Sequence, residues 1–574
     1  MPLISKRSLK SGVTLIGLFS GLLAASAAMA DDIILTNGKI QTMDDKRQWV
    51  EAVCIKEKRI HYVGSNKGAQ KCISEESRVI DLNGQLVLPG FMDSHLHIFY
   101  GSVVDVGVNL SLADTMEKLI ASLKEMRDLN PGDEPLYARG WQNFLFPPDG
   151  PRKEVLDEIF GDRVVMLGSV DGHSKWFSSA ALREAGVDKS IEDPQPGVRF
   201  WERDKETGEL LGTTREGAGD VVTDKLLKRS KAIYEERLKM WLPRANAAGL
   251  TGVFDAGMGA PSMEDAYEIL TRMDTEGDLT LRVYGSVRAA PNSGKTHADY
   301  FKGVQLRFSS DLVKPAAIKL MADGVPEAHT AYMLDDYRDT PGSRGMPMVS
   351  PEKLSDMVLD AEQKNVPVHI HAIGDAAVRM SLDAIEAAQE AVEGQGPRHA
   401  IAHMDYVHDD DIPRFAALDV VPQTSIQWAT VDPSYDTFVS YVGNDIHDGA
   451  YPIKSIMDAG GRQTFGTDWP AAAFLSTYKP LIMLETAVTR RLNGDTQSPE
   501  RGQGEGITVM QAVEALTRNV AYQLGRENWL GSLEKGKMAD LIVLDQNIFE
   551  ILSHNIHKTE VNMTIVNGKI VHQN

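Results

Sequence analysis

The chain has 574 residues, 42% of them hydrophobic and 25% charged, with a formal net charge of −21. This is ordinary globular composition, too apolar for a disordered chain, and its length suits a large barrel with a companion domain. The acidic balance repels nucleic acid and anionic membrane surfaces, so neither is an expected partner. The only cysteines are Cys54 and Cys72. That excludes a thiolate metal cluster and leaves histidine and carboxylate as the available metal ligands.

At the N-terminus, Lys6, Arg7 and Lys10 precede an apolar run from Val13 to Ala25, and Ala28-Met29-Ala30 precedes Asp31-Asp32. Residues 1–30 read as a cleaved secretory signal peptide, because the run falls short of the roughly 20 residues that span a bilayer. An exported protein, periplasmic or secreted, with no membrane span after cleavage is the expectation. Cleavage removes three basic residues and takes the net charge to −24. Export permits a Cys54–Cys72 disulfide, while the apolar alternation around Cys54 equally suits a buried free thiol.

Next come IILTNGKIQTM, VEAVCIKEKRIHYVG and SRVIDLNGQLVLPG, alternating segments separated by Asn-Gly and similar turn signals, as in a small sheet domain. KMADLIVLD and VNMTIVNGKIVHQ repeat the style at the other end. One β domain built from residues 31–88 and 530–574 is the simplest arrangement.

Between these ends, over 89–529, apolar β-branched runs alternate with helical patterns, as in a (β/α)₈ barrel of the α/β class. Eight candidate strands lie at 90–97, 251–257, 281–287, 313–324, 366–375, 398–406, 419–427 and 462–470. The wide first gap must hold an insertion at about 105–245, whose aromatic and polar mixture suits a lid over the active site, with a purely structural subdomain as the alternative.

Catalytic groups of a parallel barrel come from the carboxyl ends of its strands. His95 and His97 end the first strand, two apart and therefore on one face, as gripping a metal requires; a lone strand His-x-His is also common as plain structure. His371 and His403, one repeat apart, would converge into a second metal position. Asp468 would lie beside the first strand once the barrel closes, placed to ligate metal and accept a proton. Lys319 is the odd member, since an ammonium repels divalent cations. It either pairs with Asp323 or becomes a carbamate whose oxygens bridge two metals.

VLPGFMDSHLHIF, IKLMADG, HIHAIGDAA, the HMD segment at His403 and FGTDWP together resemble the YtcJ-like branch of the amidohydrolase superfamily, to which N-substituted formamide deformylases are related. The resemblance covers essentially the whole mature chain. It implies a distorted TIM barrel with a composite β-sandwich from both termini, and one or two Zn²⁺ ions. It further implies His95, His97, carboxylated Lys319, His371, His403 and Asp468 as metal ligands, with Asp468 also the catalytic base. The chain departs from many relatives in having DGVPEAHTAYM where they carry a Gly-Ser-rich stretch ending in Arg-Thr-Ala. Glu327 and His329 there are either substitutes or solvated loop groups. Trp141, His173, Asp323 and His329 are the candidate substrate contacts, and His369 a candidate partner of His371.

The resulting expectation is metal-dependent hydrolysis of a carbon–nitrogen bond other than a peptide bond, in a linear amide, formamide or N-acyl compound. A cyclic amide, carbamate, ester or lactone is the neighbouring alternative. A non-catalytic regulatory or binding protein on the same scaffold is another, whose signature would be lost ligands. Expected partners are a small amide-like substrate and, as an alternative to a monomer, a second copy in a homodimer.

Overall fold

The computed structural model describes residues 32–574 except 106, 148, 171–173, 195, 197–198, 216, 228–229, 260–261, 289–295, 327–328, 395 and 472–474. The signal-peptide reading therefore lies outside the described residues. Among these residues no helix is long and apolar enough to cross a membrane.

All eight candidate strands are present, as β1 (Phe91–Leu96), β2 (Leu250–Asp255), β3 (Arg282–Arg288), β4 (Val313–Met321), β5 (Val368–Ala372), β6 (Ala400–His403), β7 (Val421–Thr424) and β8 (Thr464–Phe465). They form one sheet in that order, every neighbouring pair parallel. Every residue of β1, β2 and β5 to β8 is buried, as expected where a parallel sheet is covered on both faces.

The seam between β8 and β1 closes just beyond β8. There Asp468 N donates to His95 O at 2.6 Å and His97 N donates to Trp469 O at 2.9 Å. Gly466 permits the approach, because a Cβ at that position would collide with the His95 backbone nitrogen. Met92, Phe254, Tyr284 and Ala317 cluster with Val520 and Leu530, and Phe254 touches the His369 ring at 4.7 Å, so the barrel is a packed core rather than a pore.

The outer helices follow from sequence pattern. In Pro351–Gln363, Ser350 caps the Lys353 amide, Pro351 opens the first turn, and Leu354, Val358 and Ala361 form the buried stripe. A capping serine, proline in the first turn and apolar spacings of four and three define such an amphipathic helix.

Two further sheets pack together. One orders Arg59–Gly64, Ala52–Lys56, Ile33–Thr36 and Arg78–Asp81. The other orders Lys569–Gln573, Val561–Val566, Leu541–Leu544, Leu86–Pro89, Lys39–Gln41 and Trp49–Val50. Leu86–Pro89 pairs antiparallel with Leu541–Leu544, which brings the two ends of the chain into one sheet. Ile33, Val53 and Ile55 from the first sheet share a core with Val87, Leu541 and Ile565 from the second, so this is a sandwich. Cys54 and Cys72 form a disulfide, which settles the question their spacing left open.

The insertion carries a five-stranded sheet ordered Trp201–Arg203, Leu210–Arg215, Ser174–Phe177, Val165–Ser169 and Leu136–Trp141. Its own core holds Leu119, Leu123, Trp141, Leu156 and Trp176.

A buried clamp joins barrel and sandwich. Arg282 on β3 donates through Nη2 to Asp540 Oδ1 at 3.1 Å and to Asn567 Oδ1 at 3.0 Å, and its Nε also pairs with Asp540. Both charges are nearly fully buried. Removing one member of such a pair leaves the other stranded, so Arg282→Ala should destabilise the fold by about 3–5 kcal/mol. The measurement is a lower urea midpoint at unchanged slope; an unchanged midpoint would show that the clamp contributes nothing.

Candidate active site and metal centre

At the carboxyl mouth of the barrel, side chains from five strand ends meet. His95 on β1, His403 at the end of β6 and Asp468 after β8 each offer one ligand atom, all within 4.8 Å of one another and all buried. Asp468 Oδ1 lies 2.9 Å from His97 Nε2 and 3.3 Å from His95 Nε2, and its Oδ2 lies 3.9 Å from His403 Nδ1. Lys319 Nζ on β4 is 3.4 Å from His95 Nε2. The His371 and His403 rings are 4.5 Å apart.

The backbone aims these groups. His403 and Asp468 have positive φ, 75° and 52°, a conformation uncommon for residues with side chains and concentrated at functional sites. The Asp93 carboxylate accepts from His95 N at 2.9 Å, Thr467 N at 3.2 Å and Thr467 Oγ1 at 2.7 Å, tying the two ligand-bearing turns together. Gly257 leaves room for the His97 imidazole, which a Cβ there would strike. Trp469 stacks on Trp241 at 5.3 Å and anchors the turn that carries Asp468.

Burial, reinforced by Lys319, pushes the His95 imidazole down to about 3 and that of His371 down to about 4. Burial also holds His369 and His403 well below the usual range. Burial lowers Lys319 to about 7, with Asp468 opposing and Arg288 assisting. Burial raises the Asp468 carboxyl, but His95, His97 and His403 outweigh it and hold the group well below the ordinary carboxylate range. The His403 Nδ1 is buried with no hydrogen-bond partner. Neutral imidazoles beside an ionised carboxylate, one ring nitrogen unpartnered, are the donor set that a divalent cation requires. The residues present fit a metal.

Behind His95, its Nδ1 is 3.1 Å from Gln423 Oε1 and 3.0 Å from His369 Nε2. His369 was expected beside His371. It packs instead against His95, because it stands level with Lys319 on the neighbouring strand. Gln423, which also accepts from His403 N at 3.4 Å, was not singled out from sequence; an amide in a β7 strand carries no local signal.

Asp323 does not pair with Lys319. It is fully buried and accepts from Tyr332 N, Ile373 N and Gly374 N at 2.9–3.0 Å, fixing the loop over β5. It lies 3.7 Å from His371 Nε2, whose closer partner is Gly324 O at 3.2 Å. A carboxylate saturated by backbone amides has no freedom to contact substrate. Trp141 is also displaced from its expected role, being fully buried in the insertion core with Nε1 donating to Leu167 O at 3.2 Å. A β-bulge at Gly140, whose φ is 118°, turns it onto the face of Leu136 and Ala138 and so into that core. His173 and Glu327 lie outside the described residues. His329 pairs with Asp339 at 2.8 Å and touches the Tyr441 ring at 4.7 Å.

A cavity of about 530 Å³ opens on His371, His403 and Asp468. Among the described residues its walls are the loops over the barrel, with Trp428, Tyr435, Phe438, Tyr441 and Tyr451 supplying aromatic surface. None of its described lining belongs to the insertion, whose residues 171–173 lie outside the described residues; the described insertion meets the turn after Asp468 instead, through Trp241 on Trp469.

The model of a family described as Amidohydrolase family matches residues 78–572. The chain is 27% identical over 543 residues to YtcJ of Bacillus subtilis (strain 168), covering 93% of this chain and 98% of that protein. It is 25% identical over 572 residues to the N-substituted formamide deformylase of Arthrobacter pascens, covering 94% and 97%. An uncharacterized metal-dependent hydrolase from Pyrococcus horikoshii has the same fold, with a TM-score of 0.70 at 23% identity, covering 91% of this chain and 99% of that one. With the barrel, the sandwich and the histidine–aspartate cluster in place, the protein belongs to the amidohydrolase family whose model it matches.

Proposed function

We propose that the protein is an exported, zinc-dependent hydrolase that cleaves a carbon–nitrogen bond other than a peptide bond in a linear amide, formamide or N-acyl compound. The convergence of His95, His403 and Asp468 beside an unpartnered His403 Nδ1 carries the reading. The similarity to a formamide deformylase favours amide over ester or lactone. The disulfide suits an oxidising compartment.

His95, His97, Lys319, His371, His403 and Asp468 are the proposed ligands. A divalent cation held there would polarise the scissile carbonyl and lower the pKa of a bound water to about 7. Asp468 takes the proton of the attacking water and returns it to the departing nitrogen, so that acid and amine are the products. His369 and Gln423 hold the His95 ring from behind, as supporting partners of a metal ligand do. The aromatic loops confine the substrate and exclude water.

Lys319, with its ammonium destabilised by burial, is the proposed carbamate. Its free amine adds to CO₂ with loss of one proton, and the resulting anion joins the ligand set. Elemental analysis with gently handled intact-mass measurement tests this. Two zinc equivalents and an added mass of roughly 44 Da, the size of CO₂, are expected, with Lys319→Ala losing both the mass and at least one metal. One equivalent and no added mass would reduce the site to a mononuclear one, and no metal after reconstitution would favour the non-catalytic alternative. Amine release from a panel of formamides and N-acyl amines, against matched esters, tests the bond class.

A further inference from the structure

The far wall of the cavity holds a cation that no ion pair explains. Arg501 is 4% exposed, and among the described residues no carboxylate comes within ion-pairing distance of its guanidinium. Its Nη1 donates to Trp428 O at 3.0 Å and its Nη2 to His447 O at 3.0 Å. Its Nη2 also lies 3.0 Å from His447 Nε2, an imidazole that burial and then Arg501 push down to about 3, so that it meets the guanidinium uncharged. The Nε is buried without any partner. Tyr451 and Tyr435 face the guanidinium carbon at 5.0 and 5.4 Å.

The acids on the same cavity wall are engaged elsewhere. Asp432, whose carboxyl feels the Arg501 charge without reaching ion-pair distance, accepts from Ser434 N at 2.7 Å and from Ser434 Oγ, and Asp405 is hydrogen-bonded to Tyr451. A second buried cation, Arg490, adds positive charge behind Arg501, its Nε donating to Arg501 O at 3.0 Å. Buried charges are ordinarily paired; both Nη atoms are taken up by Trp428 O, Thr430 O and His447, so the Nε–H is the donor left for an anion.

We propose that Arg501 is an anion subsite of the substrate cavity, and that the substrate carries a carboxylate on an aromatic or otherwise apolar group. Arg501 lines the same cavity as His371, His403 and Asp468, and both ends touch Trp428, whose indole lies parallel to the His403 ring at 6.3 Å while its carbonyl receives Arg501. Phe438 and Tyr441 in that cavity offer surface to the apolar part of the ligand. The inference rests on the hydrolase reading and narrows it to N-acyl amino acids and related carboxylated amides.

The test compares N-acetyl-phenylalanine with N-acetyl-phenethylamine, which differ only in the carboxylate, on the zinc-loaded enzyme. A preference of about 30-fold or more in kcat/KM for the carboxylate is expected, falling to within about threefold in Arg501→Gln. Arg501→Lys, which keeps the charge and loses the Nε–H, should retain part of the preference and serves if the glutamine variant fails to fold. Equal turnover of the two amides, or a preference that survives both substitutions, overturns the subsite and leaves the hydrolase intact. If neither amide turns over, calorimetric binding decides: Arg501-dependent binding of the carboxylate alone supports the subsite while the bond class fails, and equal or absent binding overturns it.

Discussion

Asp468→Asn is expected to lower kcat by about 10³ and to leave most of the bound metal in place. The magnitude follows from the value of positioned general acid–base catalysis, about 10²–10⁴. An amide of the same shape retains an oxygen that can lie near His95 and His97, so it still offers a donor, but it cannot take a proton at neutral pH. Asp468 is well placed for this exchange, because its carboxylate touches both strand-one histidines and its other oxygen faces His403. The measurement is kcat beside metal content on one preparation. Full activity in the variant removes Asp468 from proton transfer. Loss of metal together with activity makes it a ligand first, and the base must then be sought among the other cavity groups.

His403→Ala costs the protein its metal. The imidazole sits in a buried site with its Nδ1 otherwise unpartnered, and alanine leaves a hole that nothing in β6 can fill with a donor. Metal per chain should drop from near stoichiometric to below about a tenth after dialysis, with activity falling in parallel. Chelation of the wild-type protein should lower its melting temperature, because a ligand bound only by the folded state stabilises it by mass action. That shift should vanish in His403→Ala. A variant that keeps both metal and melting shift would place the metal elsewhere, for instance between His95, His97 and Asp468 alone.

Much of the site was legible because barrel chemistry sits at strand ends and strand ends have local signatures. His95, His97, Lys319, His371, His403 and Asp468 each close or follow an apolar run, and a parallel barrel turns that regularity into convergence. The substrate-facing guesses fared differently. Trp141 is turned into the insertion core by a β-bulge at Gly140, a register shift that local alternation does not announce. Asp323 is claimed by three backbone amides from later loop residues.

The sequence by itself determined the order and type of elements, the eight strands and the identity of the polar groups ending them, since these depend on patterns spanning fewer than a dozen residues. Only the tertiary structure decided which groups touch. It set His369 behind His95, made Gln423 a support for two histidines, joined Cys54 to Cys72, and built the cavity wall from loop residues such as Trp428, Tyr435 and Arg501. The physical reason is that such contacts join segments tens to hundreds of residues apart. Their energies depend on burial and exact approach, which no local pattern encodes.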